Sequence, residues 1–102
     1  MIVYTFSRAV HTVRQGVRMN CISPGPVDSP MMPDFRKALG DKTLEWTASQ
    51  ANGRMGRPEE MAPPLVFLNS REASYVNGAN LICDAGFTGA MITGQVDYSA
   101  LA

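Results

Sequence analysis

Long apolar runs, a charge surplus and any grouping of cysteine or histidine are what this 102-residue chain lacks. No apolar run reaches the ~18 residues that span a bilayer. The opening MIVYTFSRAVH is short, with no basic leader and no small-residue cleavage site, so neither a membrane nor a signal peptide is expected. Nine basic residues balance nine acidic ones, which leaves no net field to gather nucleic acid or anionic lipid. Cys21 and Cys83 have neither metal-type nor redox-type spacing. They read as small buried apolar residues in a reducing compartment, which places the chain in the cytoplasm. The single His11 has no Ser, Cys or acid at triad spacing and reads as a solvated or packing residue. No metal-ligand set is expected.

What is present is globular in composition, with 45% hydrophobic and 18% charged residues, and the length allows at most one domain, residues 1–102. Ile2, Phe6, Ala9 and Val13 recur at steps of four, three and four, which predicts an amphipathic helix over 2–15, stopped at Gly16. It opens on Met-Ile-Val with no N-cap, as though the start fell inside a helix. VRMNCIS, residues 17–23, lies between Gly16 and Pro24 and fits a buried strand. Short helices follow over 34–39 and 41–51, with Asp34 and Asp41 as candidate caps and Phe35, Leu39, Leu44 and Trp46 as apolar contacts.

GRMGRPEEM signals another helix, with Pro58 at its first position and Glu59 and Glu60 in the first turn, where they oppose the macrodipole favourably. Pro63 and Pro64 then predict an irregular first turn and regular helix from about 64 to 70. ANLICD, residues 79–84, is a second strand. From Gly86 the tail shows no periodicity and is expected to lie across a surface. The order helix, strand, short helices, helix, strand is that of an α/β protein with a parallel sheet and helical crossovers. Two strands make a poor parallel sheet, so the pattern implies one end of a larger, doubly wound sheet, incomplete as it stands.

The most distinctive stretch is NCISPGPVDSPM, residues 20–31. Pro24, Pro26 and Pro30 lack an N–H and fix φ near ~−65°, and Gly25 between two of them can take angles closed to other residues. The result is a strand ending in a rigid loop, which serves either to position a ligand or as a stiff connector.

FSRAVHTVRQGVRMNCISPGPVDSPM, GRMGRPEEMA and FLNSREASYVNGANLICDAG, in this order and spacing, resemble the C-terminal part of a short-chain dehydrogenase/reductase. The resemblance covers essentially the whole chain and implies the end of a Rossmann-type sheet. It implies NAD or NADP, held at the nicotinamide end. Pro24 and Gly25 would set the turn, Val27 would offer backbone N–H and C=O to the carboxamide, and Ser29, where Thr is usual in the family, would offer a hydroxyl. Residues 24–57 would be the Pro-Gly loop and substrate flap, and 87–102 the C-terminal tail. DAGFTGAMITGQ is similar to the hydroxysteroid dehydrogenase/carbonyl reductase and aryl-alcohol branch, which implies a bulky apolar alcohol or carbonyl substrate. Met31 and Met32 would then line an adaptable wall; core or surface filling is the alternative. The last helix and strand would form the surface of a homo-oligomer.

No Gly-rich turn follows an early strand, so nothing meets a pyrophosphate. The only approach to the family's Tyr-x-x-x-Lys is Tyr4 with Arg8. Its spacing to the Pro-Gly pair is about ten residues short, and Arg is a poor substitute for Lys. Tyr4 is therefore read as a surface or packing residue, no catalytic residue is assigned, and the family's Tyr and Lys are expected upstream of Met1. Asp28 is open between a turn role and a cofactor or substrate contact, and Asp84 reads as structural. The chain is expected to be a piece of an oxidoreductase, inactive alone, or else a truncated homologue that docks on a full-length subunit.

Overall fold

A computed structural model describes residues 1–101. Helix α1 (Ile2–Val13) leads into strand β1 (Cys21–Pro24), helices α2 (Met32–Leu39), α3 (Asp41–Ser49) and α4 (Pro58–Leu68), strand β2 (Asn80–Cys83) and a short helix α5 (Phe87–Ile92). Single 3₁₀ turns cover Arg71–Ala73 and Ser99–Leu101. The two strands pair in parallel, Cys21 opposite Asn80 through Pro24 opposite Cys83. The element order and the parallel pairing are those expected of an α/β sheet with helical crossovers.

The strand pair is fixed by side-chain amides as much as by its ladder. Just before β1, Asn20 donates through Nδ2 to Val76 O (2.9 Å) and accepts through Oδ1 from Ala79 N (2.9 Å). Asn77 answers from the other side, accepting from Met19 N (2.9 Å) and donating to Ala9 O (3.0 Å) in α1. Within the sheet Ser23 Oγ donates to Asn80 Oδ1 at 2.7 Å. Arg18 donates to the carbonyls of Leu68 (2.9 Å), Ser70 (3.1 Å) and Val76 (3.1 Å), so one guanidinium closes the C-terminus of α4 and ties it to the loop before β2. A cation at a helix C-terminus also faces the negative end of the macrodipole.

Helix α1 ends near Gly16, whose φ of +82° suits glycine. Its inner face differs from the expected stripe. Of Ile2, Phe6, Ala9 and Val13 only Ala9 is buried; Phe6 is 57% exposed and Val13 41%. The buried line is Thr5 and Ala9, one turn apart. Small side chains there permit close approach, since a Cβ on Gly78 would stand 3.1 Å from that of Ala9, and this turns the bulky residues outward.

Two other expectations are corrected. Helix α4 runs continuously from Pro58 through Pro63 and Pro64. Each proline removes a donor to a carbonyl four residues earlier, and Glu59 and Glu60, which carry those carbonyls, are exposed to water. Asp34 and Asp41 are not caps. Met31 and Gly40 occupy those positions, Asp34 lies inside the first turn, and Asp41 pairs with Arg36 (2.8 Å). The tail forms α5 and then returns to α3, where Trp46 Nε1 donates to Asp97 O at 2.7 Å.

Buried apolar residues are few: Ala9, Met32, Leu44, Trp46, Leu68 and Ala73. The accessible surface is 7128 Å², where a compact chain of this size exposes about 5,700 Å². Arg18→Ala is expected to lower the unfolding free energy by about 2–3 kcal/mol in a denaturant titration, because it orphans three carbonyls. Arg18→Lys is expected to recover less than half of that loss, since an ammonium lacks the planar fork.

Candidate functional site

Both strands end at one place, and the site grows from that convergence. Gly25 N donates to Cys83 O at 3.1 Å, bringing the loop onto the residue after β2. A Cβ on Gly25 would stand 2.9 Å from the Asp84 Cβ and 3.2 Å from its Cα. The glycine is needed there for space, with backbone on the other side of the contact.

The loop then pairs once more. Gly56 N donates to Pro26 O (2.8 Å), and Asp28 N donates to Gly56 O (2.9 Å), forming a parallel bridge between Val27 and Gly56. Asp28 thus uses its backbone to hold the turn. In such a bridge the residues either side of Val27 supply the bonds, so its own N–H and C=O face the opposite edge. Among the described residues neither of these Val27 groups has a hydrogen-bond partner. Ser29 O accepts from Met32 N at 2.9 Å and turns the chain into α2; the Ser29 hydroxyl makes no hydrogen bond among the described residues.

Pro24, Gly25, Val27 and Ser29 line one cleft of about 440 Å³. Its walls are Met32, Phe35 and Leu39 from α2, Leu44 and Thr47 from α3, and Phe87 and Thr88 from α5. Met32 is buried in this wall, whereas Met31 is 61% exposed and lies outside the lining. A second cavity of about 350 Å³ shares Gly25, Pro26, Asp84 and Phe87 and is lined further by Asn52, Met61 and Cys83. Tyr4 and His11 are exposed on α1, away from both. Cys21 and Cys83 are half-buried free thiols. No group of His, Cys, Asp or Glu able to hold a metal occurs among the described residues, and no described helix is long and apolar enough to cross a membrane.

Asp84, Thr47, Phe87 and Thr88 are cleft residues that sequence reasoning did not assign. Asp84 accepts from Gly86 N (3.0 Å), Thr88 N (2.9 Å) and the Thr88 hydroxyl. Desolvation pushes its pKa up, but the hydrogen bonds from Thr88 and from the backbone of Gly86 and Phe87 together outweigh it, and the carboxyl is held below its ordinary range. The signal for this was Asp-x-Gly-x-Thr, a spacing at which Asp commonly bonds the following backbone.

The fold and the cleft beyond the strands' carboxyl ends define a class, the Rossmann-type α/β proteins that bind ligands at that edge. Comparison with known proteins narrows it. A family model described as Enoyl-(Acyl carrier protein) reductase matches residues 2–88, and the chain belongs to the short-chain dehydrogenase/reductase family. It is 41% identical over 95 residues to dehydrogenase/reductase SDR family member 6 of Aquarana catesbeiana, covering 86% of this chain and 37% of that protein. It is 40% identical over 85 residues to L-fucose dehydrogenase of Mus musculus, covering 80% and 31%. Among solved structures, the TT0495 protein of Thermus thermophilus matches with a TM-score of 0.76 at 29% identity, over 86% of this chain and 36% of that one. 4-Hydroxyisoleucine dehydrogenase complexed with NADH matches with a TM-score of 0.72 at 26% identity, over 86% and 36%. The chain therefore spans roughly a third of the length of these relatives.

Gly25→Ala is expected to cost about 1–3 kcal/mol of stability, as overpacking against backbone does, and to displace the Val27 and Asp84 amide signals in an NMR spectrum. The loop that delivers Gly56 is held by Arg54, which grips Glu60 with two hydrogen bonds (2.7 and 2.9 Å). This pairing, with the Arg57 N–H, lowers the Glu60 pKa from 4.5 to about 2. A depressed carboxylate stabilises the fold above its unfolded pKa and loses that effect as pH falls through the folded value. The difference in melting temperature between wild type and Glu60→Gln is expected to be constant above pH ~4.5 and to close as the pH approaches ~2.

Proposed function

We propose that this chain supplies the nicotinamide clasp and substrate flap of an NAD(P)-dependent short-chain oxidoreductase acting between an alcohol and a ketone or aldehyde. The carrying observation is the Val27–Gly56 bridge, which leaves one N–H and one C=O of Val27 unpartnered beside the cleft. A carboxamide has donors and an acceptor to match that pair, and the Ser29 hydroxyl adds a third group. When bound, the nicotinamide supplies or accepts the hydride. The protein's share is orientation: Pro24 and Gly25 set the turn, Val27 and Ser29 choose which ring face looks into the cleft, and the loop's bridge to Gly56 keeps them still.

Met32, Phe35, Leu39 and Leu44 make the far wall apolar, which suits a bulky apolar alcohol or carbonyl. Met31, exposed just outside this lining, is the adaptable side chain that a substrate extending beyond the cleft would meet. The sequence offers no Gly-rich turn for a pyrophosphate and no Tyr-x-x-x-Lys for proton transfer, so the 102-residue chain alone is catalytically inactive in this reading. Helix α4 and strand β2 serve as a subunit surface in the assembled enzyme, which works in the cytoplasm.

A second reading has its own observation. Val3, Phe6 and Val10 are 78%, 57% and 50% exposed on α1, an apolar face that favours association, so the chain could serve as a non-enzymatic module docked on a full-length subunit.

Titration of residues 1–102 with reduced nicotinamide mononucleotide, followed by amide chemical shifts, separates the two. The first reading expects weak binding, roughly millimolar, with the shifts centred on Val27 and Ser29 and reduced in Ser29→Ala. Adenosine monophosphate is expected to shift nothing. Tight binding of whole NAD or NADP by this chain alone, or shifts confined to α1, would overturn it.

A further inference from the structure

The C-terminal segment is joined to the cleft through the chain's single tryptophan. Trp46 Nε1 donates to the carbonyl of Asp97 (2.7 Å), and the N–H of the same Asp97 donates to Gln50 Oε1 (2.8 Å). Two side chains one turn apart on the same helical stretch thus hold both backbone groups of one tail residue. An apolar filler needs no such pairing. The indole is also packed on two rings: Tyr98 at 5.5 Å between centroids with a 36° tilt, and Phe87 at 5.7 Å, edge-on at 84°. Phe87 is itself a cleft residue, as are Leu44 and Thr47 on either side of Trp46.

Helix α3 is tied at its start to α2, where Asp41 pairs with Arg36, and the Trp46 and Gln50 contacts hold its other end. It is nine residues long, too short to be stable alone, and Gly40, with φ of +84°, precedes it. We propose that Trp46 is a positioning residue: it straps residues 97–98 and α5 onto α3, and so sets where the Leu44 and Thr47 wall of the cleft stands. The consequence for substrate rests on the cleft being the substrate side, as proposed above; the strap itself does not.

The test uses the full 102-residue chain, in which one tryptophan gives one indole N–H signal. In Gln50→Ala and in Tyr98→Ala, solvent exchange of that indole proton is expected to quicken at least about fivefold, the effect of losing one closing contact. The Leu44 methyl and Thr47 side-chain signals, from cleft residues, are expected to shift with it. Tyr98→Phe keeps the ring and is expected to restore both. Faster indole exchange with unmoved Leu44 and Thr47 would overturn the positioning role, and unchanged exchange would overturn the strap. An unperturbed Ala79 amide, held by Asn20, verifies that the fold is intact, and Gln50→Ala, which leaves every aromatic ring in place, serves if Tyr98→Ala unfolds. None of these signals needs a dinucleotide. Failure of the mononucleotide titration with the strap signals present would count against the cofactor reading alone.

Discussion

Everything at the cleft depends on two parallel strands that chain connectivity does little to bring together. Cys21 and Asn80 are paired across most of the sequence. Closing a loop of that length is entropically unfavourable, and a four-residue parallel ladder is a weak return on it. The side-chain amides of Asn20, Asn77 and Asn80 and the guanidinium of Arg18 make up the difference. Asn20, Asn77 and Arg18 bond backbone groups at the point where β1 and the loop before β2 first meet, Asn80 accepts from the Ser23 hydroxyl within the sheet, and Asn77 and Arg18 extend the hold to α1 and α4. The lattice sits at the amino ends of the strands, leaving their carboxyl ends to the cleft.

Once the register is fixed at one end, the geometry at the other follows. Strands that stay parallel through Pro24 and Cys83 bring Gly25 against Asp84 with no room for a Cβ. Asp84 is in turn occupied with the start of α5, so the loop cannot relax toward it. The remaining direction leads to Gly56, and pairing there turns the unused groups of Val27 outward. The proposed clasp is a by-product of where three backbone segments are able to lie.

How much of this was legible in the sequence varies with the range of the forces involved. The Pro-Gly loop, the two strands and the parallel order were legible because proline, glycine and short apolar runs act locally. The inner face of α1 was not. Periodicity ranks residues by hydrophobicity, whereas Ala9 faces inward because it is small enough for Gly78 to approach, and Thr5 lies one turn before it on the same line. Helix α4 persists through two prolines where the residues carrying the freed carbonyls, Glu59 and Glu60, are exposed, an outcome set by exposure and not by propensity. Met31 and Met32 are neighbours of identical chemistry, and only the turn closed by Ser29 decides which is buried. Arg18 carried no motif at all, since its three partners lie about fifty residues away or more.

The clasp's own energetics argue for a division of labour. Each hydrogen bond that Val27 and Ser29 can offer is worth about 0.5–1.5 kcal/mol net, against an association cost of at least ~4 kcal/mol. Three such bonds orient a carboxamide but barely retain it. In the proposed reading, retention comes from contacts made elsewhere on a dinucleotide, and the sequence has no Gly-rich turn for one. The same imbalance marks the protein's surface: 7128 Å² is accessible, and α1 presents Val3, Phe6 and Val10 to water. In the proposed reading, a segment that orients a carboxamide without retaining it draws its binding energy from contacts other than those of Val27 and Ser29, and the exposed apolar face of α1 is open to a partner surface. Orientation is then the contribution that its rigid elements, the Val27–Gly56 bridge above all, are built to make.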